Sequence, residues 1–376
     1  VLAAVIALCS ACTVYAADAA PVTQTEPAAI TASAPQVSPA PQTPTTPALQ
    51  AVPALQTPGV TAPATSAEST DKTAEWTPAR GYYKIDEHNY AYYEKPKLFS
   101  FVTNVPFTIY DWLKDSFQAK NAPTIAGIAV ATGALIAVDQ ELYRDARRTG
   151  RALGISGDSA MGRAFGTPIQ YPVDLGTALY FIGDGMIPIS ITLGMFTYGM
   201  STSDIRSLQT SSQLAEGLLS VAVVTQAIKR STGRKSPGDA PAGDDSWKLF
   251  PSFSEYGGNT PHYDAMPSGH VATGVMTITI LADNYPEYTM IRPIGYTLMG
   301  LLGFQMMNNG VHWASDYPLA IAIGYGIGKT ITTRSRKIVS TEKPAEKTTK
   351  APLFSDVALM PAPAENGGLL LLTGKF

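Results

Sequence analysis

Cysteine is nearly absent from this 376-residue chain: there are two, Cys9 and Cys12, both in the first apolar run. If that run is removed, the mature protein has no thiol, which excludes a disulfide framework and a thiolate metal site. Charge is scarce as well. Charged residues make up 15% of the chain and the net charge is −3, so nothing suggests a nucleic-acid partner. Histidine is limited to four positions, His88, His262, His270 and His312. Most apolar segments also fall short of the roughly 20 residues that cross a bilayer as a helix.

The first run, from Val1 to Leu8, is followed by small residues up to Ala16 and Ala17. An apolar core ending in small residues reads as a partial signal peptide, residues 1–17, and implies export. A lipoprotein reading through Cys12 is weaker, because Cys9 stands three residues before it, where an aliphatic residue is usual. Residues 18–78 are rich in Ala, Pro, Thr, Gln and Ser. Such a segment buries too little apolar surface to offset chain entropy, so a disordered spacer is expected.

Composition changes at Tyr82, Tyr83, Tyr90, Tyr92 and Tyr93. Phe99 to Phe117 reads as an amphipathic helix interrupted at Pro106, packed on the domain or laid on a membrane surface. Six apolar helix-length segments follow, approximately Ala122–Val138, Val173–Met200, Ser212–Lys229, Gly269–Asp283, Ile294–Met307 and Tyr317–Thr330. Arg144, Arg147, Arg148 and Arg151 fall in an expected loop after the first. The expected fold is all-α: an antiparallel bundle of about six helices over residues 79–336, with the site at one end. Residues 337–376 form a tail in which Val357–Met360 and Leu369–Leu372, around Asn366-Gly367-Gly368, are expected to pair as a short hairpin.

Lys229 ends the third segment and Gly269-His270 open the fourth, at the same end of such a bundle. The fifth segment returns there, and His312 follows it. Lys229 and Arg234, on either side of the Gly233 break, are candidates to face a common anion; a lysine at a helix C-terminus is otherwise ordinary dipole compensation. Pro267-Ser268-Gly269-His270 brings backbone N–H groups to a helix start, a ready anion site, although a serine there is commonly just an N-cap. His312 and Asp316 stand at i and i+4, so the carboxylate can hold one imidazole nitrogen and leave the other free. The same spacing serves a plain ion pair or a metal, but no third ligand completes a metal set, and no cofactor is expected.

These motifs resemble the phosphatidic acid phosphatase type 2 / vanadium haloperoxidase superfamily. Its pattern is Lys, six residues, Arg-Pro; then Pro-Ser-Gly-His; then Ser-Arg, five residues, His, three residues, Asp. The resemblance covers about Ala122 to Thr330. It implies that His312 attacks phosphorus, that Asp316 orients and charge-stabilises it, and that His270 protonates the leaving oxygen. Lys229, Ser268 and the Gly269 amide would hold phosphate oxygens, with Arg234 or Lys235 supplying a further charge. Two departures stand out: Ser236 replaces the arginine of the first motif, and Gln305-Met306 replaces the Ser-Arg of the third. Losing one preorganised donor to developing charge costs about 3–4 kcal/mol. Asn308 or Asn309 is the nearest substitute donor for the third motif.

The function expected is metal-independent hydrolysis of a phosphomonoester or lipid phosphate through a phosphohistidine. The alternatives are a phosphate-binding pseudoenzyme that lost turnover with the two arginines, and a structural envelope protein. A haloperoxidase is disfavoured because vanadate needs the same arginines. The partner expected is a phosphorylated small molecule or lipid, with contact to a membrane surface and none to nucleic acid. The location expected is the periplasm, soluble or peripherally attached to the membrane, with an integral protein the alternative. Asp184 and Glu216 interrupt two of the apolar segments and favour the former.

Overall fold

A helix buried nearly all round sets the architecture. The computed structural model describes residues 81–86, 88–158, 160–164, 170–240, 247–340, 358–364 and 367–373, the last two ranges as backbone only. The expected signal peptide and spacer lie outside the described residues. In chain order the elements are β1 (Tyr82–Lys84), β2 (Asn89–Tyr93), α1 (Ser100–Thr103), α2 (Val105–Ser116), α3 (Ala122–Ala152), β3 (Gly162–Arg163), β4 (Gln170–Tyr171), α4 (Leu175–Phe181) and α5 (Met186–Thr202). There follow α6 (Ile205–Thr232), α7 (Phe253–Gly258), α8 (Gly269–Asn284), α9 (Ile291–Asn308), α10 (Tyr317–Ser335), β5 (Arg336–Ser340), β6 (Ala358–Ala364) and β7 (Gly367–Thr373). The fold is all-α, with small strands at its margins.

The central helix is α8, packed against α10, α6 and α9. Val271, Ala272, Val275, Met276 and Ile280 fill the core with Leu214 and Val221 of α6, Leu302 and Met306 of α9, and Ile323, Ile327 and Ile331 of α10. Each such aliphatic side chain is worth about 1.5–3 kcal/mol of burial, which outweighs the modest helix propensity of its valines and threonines. Its threonines bond back into the helix, Thr277 to the Thr273 carbonyl at 2.9 Å and Thr279 to the Val275 carbonyl at 2.7 Å. Gly324 permits the close α8–α10 approach, since a Cβ there would clash with the Ala272 carbonyl oxygen.

Several boundaries differ from expectation for local reasons. α3 runs on through Arg144, Arg147, Arg148 and Arg151, which are helical rather than looped; good helix formers carry it to the Gly154 turn. The second apolar segment divides into α4 and α5, which meet at 56°. Asp184, the residue expected to interrupt it, sits buried in that break and accepts from the Met186 amide at 2.8 Å. Glu216 is also buried rather than solvent-facing, accepting from Thr108, from Asn104 at 3.1 Å and from Arg334. α1 and α2 part at Asn104, with Pro106 in the first turn of α2, where proline is tolerated.

The tyrosines after Gly81 form strands that the sequence did not reveal. β1, β2 and β5 make an antiparallel sheet, with Tyr82 opposite Tyr92 and Tyr90 opposite Val339. It lies at the C-terminal end of α8, where the Tyr93 hydroxyl donates to the Asn284 carbonyl at 3.2 Å. Its third strand ties the first residues of the expected tail into the domain. Further on, β6 and β7 pair antiparallel, Met360 opposite Leu371, as the hairpin expected there.

Candidate active site

The opposite end of α8 carries the candidate site. α6 stops at Gly233, in the left-handed region at φ 50°, with its amide bonded to the Lys229 carbonyl at 2.8 Å. Lys229 is thereby left in the last turn, buried, its Nζ donating to the Asp264 carbonyl at 2.8 Å and pairing with that residue's Oδ2 at 3.0 Å. The same ammonium faces the start of α8, 3.9 Å from where a Cβ on Gly269 would stand. A Cβ at 269 would make only ordinary van der Waals contact with that ammonium.

Ser268 is the N-cap of α8. Its Oγ accepts from the Val271 amide at 3.4 Å, and its own amide donates to the Asp316 carbonyl at 3.3 Å. Its hydroxyl therefore already performs the capping role that serine commonly has. The Gly269 and His270 amides open the helix at the positive end of its dipole. The His270 ring lies 6.1 Å from that of His312 and 5.4 Å from that of Tyr180. Burial first, then electrostatic interaction with His312 and Lys229, pushes its pKa down to about 3, so the imidazole is neutral at pH 7.

His312 is 2% exposed. Its Nδ1 stands 2.7 Å from the Ala265 carbonyl oxygen and 3.4 Å from Asp316 Oδ2. A carbonyl only accepts, so Nδ1 carries the hydrogen and Nε2 of the neutral ring keeps its lone pair. Asp316 was expected to hold this nitrogen, but the backbone of residue 265 is nearer. The carboxylate has stronger partners: Oδ1 accepts from Arg234 Nη1 at 2.6 Å and Oδ2 from the Trp313 amide at 2.8 Å.

Arg234 does not face an open anion site. The residue is 2% exposed and its guanidinium lies between two carboxylates, with Nη2 on Asp139 Oδ2 at 2.7 Å. Trp247 and Trp313 place their rings 4.7 and 5.5 Å from it. The proposed substitutes for the third-motif arginine are engaged elsewhere too: Asn308 donates to the Ser156 carbonyl at 3.1 Å, and the Asn309 amide group reaches the Met306 and Gln305 carbonyls at 2.8 and 3.0 Å. Met306 lies in the apolar core, and Ser236 is buried. Lys229, the α8 amides, His270 and His312 thus come together, while Arg234 turns to the far side of Asp316.

Asp139, Asp264 and Ala265 are participants that motif reading missed. Asp139 had a faint signal, as the carboxylate that ends the Ala122–Val138 apolar stretch. Ala265 acts through its carbonyl and leaves no trace in residue type. Among the described residues no group of three or more His, Cys, Asp or Glu side chains is placed to hold a metal ion. What the structure assembles here is a buried cation, the amides of a helix start and two imidazoles.

The PAP2 superfamily profile matches residues 211–339, a stretch that runs from within α6 into β5 and contains all three motifs. The resemblance read from those motifs therefore stands over the segment that carries them. No curated protein matches the chain. Among solved structures, the chain is similar to the crystal structure of the first transmembrane PAP2 type phosphatidylglycerolphosphate phosphatase from Bacillus subtilis. That likeness is 14% identical, covers 63% of this chain and 96% of the other, and has a TM-score of 0.35, too low to bear on function.

Proposed function

We propose that this protein is a phosphatase, hydrolysing a phosphomonoester or lipid phosphate through a phosphohistidine on His312. The observation that carries the proposal is the Ala265–Nδ1 contact, which leaves Nε2 as a nucleophile at the end of the bundle where Lys229 and the start of α8 also stand. In the first step the Nε2 lone pair bonds to phosphorus, the bond from phosphorus to the leaving oxygen breaks, and His270, whose protonated form the anionic phosphate beside it favours, gives that oxygen its proton. Asp316 offsets the charge that appears on the His312 ring. In the second step water attacks phosphorus, its proton passes to His270, and the phosphorus–nitrogen bond breaks to release phosphate. Lys229 and the Gly269 amide bind the phosphoryl oxygens in both steps.

A lipid phosphate is the substrate class we favour. The Ala122–Val138 portion of α3 is apolar yet largely exposed. At 1.5 Å per residue it is roughly 25 Å long. Phe196, Tyr198 and Met200 of α5 are exposed as well. An unpartnered surface of this kind fits contact with a bilayer. The apolar stretch ends at Val138, and the next residue, Asp139, belongs to the polar cluster behind Asp316. A phosphate at headgroup depth would therefore stand level with the site. We read the protein as exported and membrane-associated on the periplasmic side, residues 1–17 being a signal and 18–78 a spacer.

A second reading, phosphate binding without turnover, is favoured by one observation: Arg234 is committed to Asp139 and Asp316, so its guanidinium does not face the phosphate. Hydrolysis of p-nitrophenyl phosphate and a short-chain phosphatidic acid, by wild type and His312→Ala in EDTA, decides between the two. Turnover that resists EDTA and disappears in the variant, with an acid-labile phosphoenzyme, supports the phosphatase. A folded wild type that binds phosphate and turns over neither substrate supports the binding protein.

A further inference from the structure

Arg234 is tied to the nucleophile along two routes. Through its side chain, Nη1 holds Asp316 Oδ1 and the Ser315 hydroxyl, each at 2.6 Å. Through its backbone, its carbonyl accepts from the Ala265 amide at 3.0 Å, and the carbonyl of that same Ala265 receives Nδ1 of His312. Both groups that contact Nδ1 are thus positioned by one residue. Asp139, 4% exposed on α3, fixes Arg234 in turn: Oδ2 accepts Nη2, and the carboxylate also takes the Ser315 amide at 3.0 Å and the Ser315 hydroxyl.

We propose that Asp139 and Arg234 are positioning residues for the His312 reaction, Asp139 locking a guanidinium that sets both the Asp316 carboxylate and the Ala265 carbonyl against Nδ1. Arg234 holds the nucleophile instead of the phosphate. The two carboxylates explain why its charge is tolerated in the interior, since a buried cation must be paired and hydrogen-bonded. The geometry also explains why arginine is present: two nitrogens of one planar fork reach two carboxylates, which a lysine ammonium cannot reproduce. A route from α3 to the nucleophile follows, because Asp139 lies directly after the exposed apolar stretch of that helix. The inference rests on the phosphohistidine reading.

The test uses the full chain and the variants Asp139→Asn and Arg234→Lys, with p-nitrophenyl phosphate as substrate and inorganic phosphate as inhibitor. In both variants kcat should fall by between about tenfold and the roughly 10⁴-fold that a wrong histidine tautomer costs a Ser-His-Asp triad. KM and the phosphate inhibition constant should stay within about twofold, as expected for groups that act only in the chemical step. An inhibition constant raised as much as kcat is lowered would make Arg234 a phosphate ligand and overturn the proposal. An unchanged kcat would overturn it too.

The nitrogen chemical shifts of His312, measured without substrate, give a readout independent of turnover. Wild type should show a protonated Nδ1 and a bare Nε2, and Asp139→Asn a mixture of tautomers; identical spectra would sink the idea. If wild type proves inactive or His312→Ala remains active, the phosphohistidine reading fails while the tautomer comparison still judges the positioning network. Should Asp139→Asn fail to fold, Ser315→Ala leaves both charges in place and removes one hydroxyl from the network. It should lower kcat severalfold with KM unchanged, and no loss would count against the proposal.

Discussion

His312 gives its Nδ1–H to the Ala265 carbonyl at 2.7 Å, while the Asp316 carboxylate lies behind at 3.4 Å. The backbone thus fixes the tautomer, and the carboxylate supplies charge. This division of labour differs from a triad in which the acid performs both tasks, and it has consequences for substitution.

Asp316→Asn should keep the Nδ1–H tautomer and lose only charge stabilisation, so its kcat should fall by less than the roughly 10⁴-fold of a triad that loses its acid. Stability should suffer more. Arg234 would keep Asp139 alone, and breaking one side of a buried ion pair costs about 3–5 kcal/mol. Kinetics alongside denaturant melts of the same preparation separate the two effects; a kcat as low as that of His312→Ala would refute the division.

His270→Asn should lower kcat by roughly 10²–10⁴-fold on an alkyl phosphate, whose leaving oxygen needs a proton. The loss should be much smaller on p-nitrophenyl phosphate, which leaves readily unprotonated. Equal losses on both substrates would show that His270 does not act on the leaving group.

Activity and stability should respond oppositely to acid. The pKa of His270 is lowered from 6.5 to about 3, so its protonated, acid-competent fraction grows as pH falls. Hydrolysis should therefore be faster at pH 5 than at pH 8. The folded value lies below the unfolded one, so the unfolded chain binds this proton first. The corresponding stability is present above pH 6.5 and is lost as pH falls toward 3. Melting curves of wild type and His270→Asn over this range should converge in acid; parallel curves would contradict the assignment.

The exposed face of α3 should govern membrane contact without touching chemistry. Val130 and Ile136 are 68% and 42% exposed. Val130→Glu with Ile136→Glu should reduce flotation with phospholipid vesicles and hydrolysis of lipid phosphate, leaving p-nitrophenyl phosphate turnover within about twofold, as for surface changes remote from a site. Undiminished flotation would remove this face from the membrane contact.

Much of the site was legible because its signals are local. Lys229, Pro267-Ser268-Gly269-His270 and His312 with Asp316 are residue types at fixed spacings, and the lengths of the intervening helices bring them to one end. The run that became α4 and α5 was legible as apolar but not as bent, because a bend depends on how Gly183, Asp184 and Gly185 are packed. Of the tyrosine strands, β1 pairs with its neighbour β2, but the sheet is completed only by β5, far along the chain. Strand pairing of that kind has no local period to read.

By itself the sequence determined the helices, their order and the end at which the reactive groups meet, since apolar period, capping residues and glycine breaks act over a few residues. Only the tertiary structure decided what Arg234 does. Its place in the chain put it beside a candidate phosphate site, but two buried carboxylates from distant elements hold it on the other side of Asp316. A buried charge takes the partners that packing places beside it, and packing joins residues that are far apart in sequence.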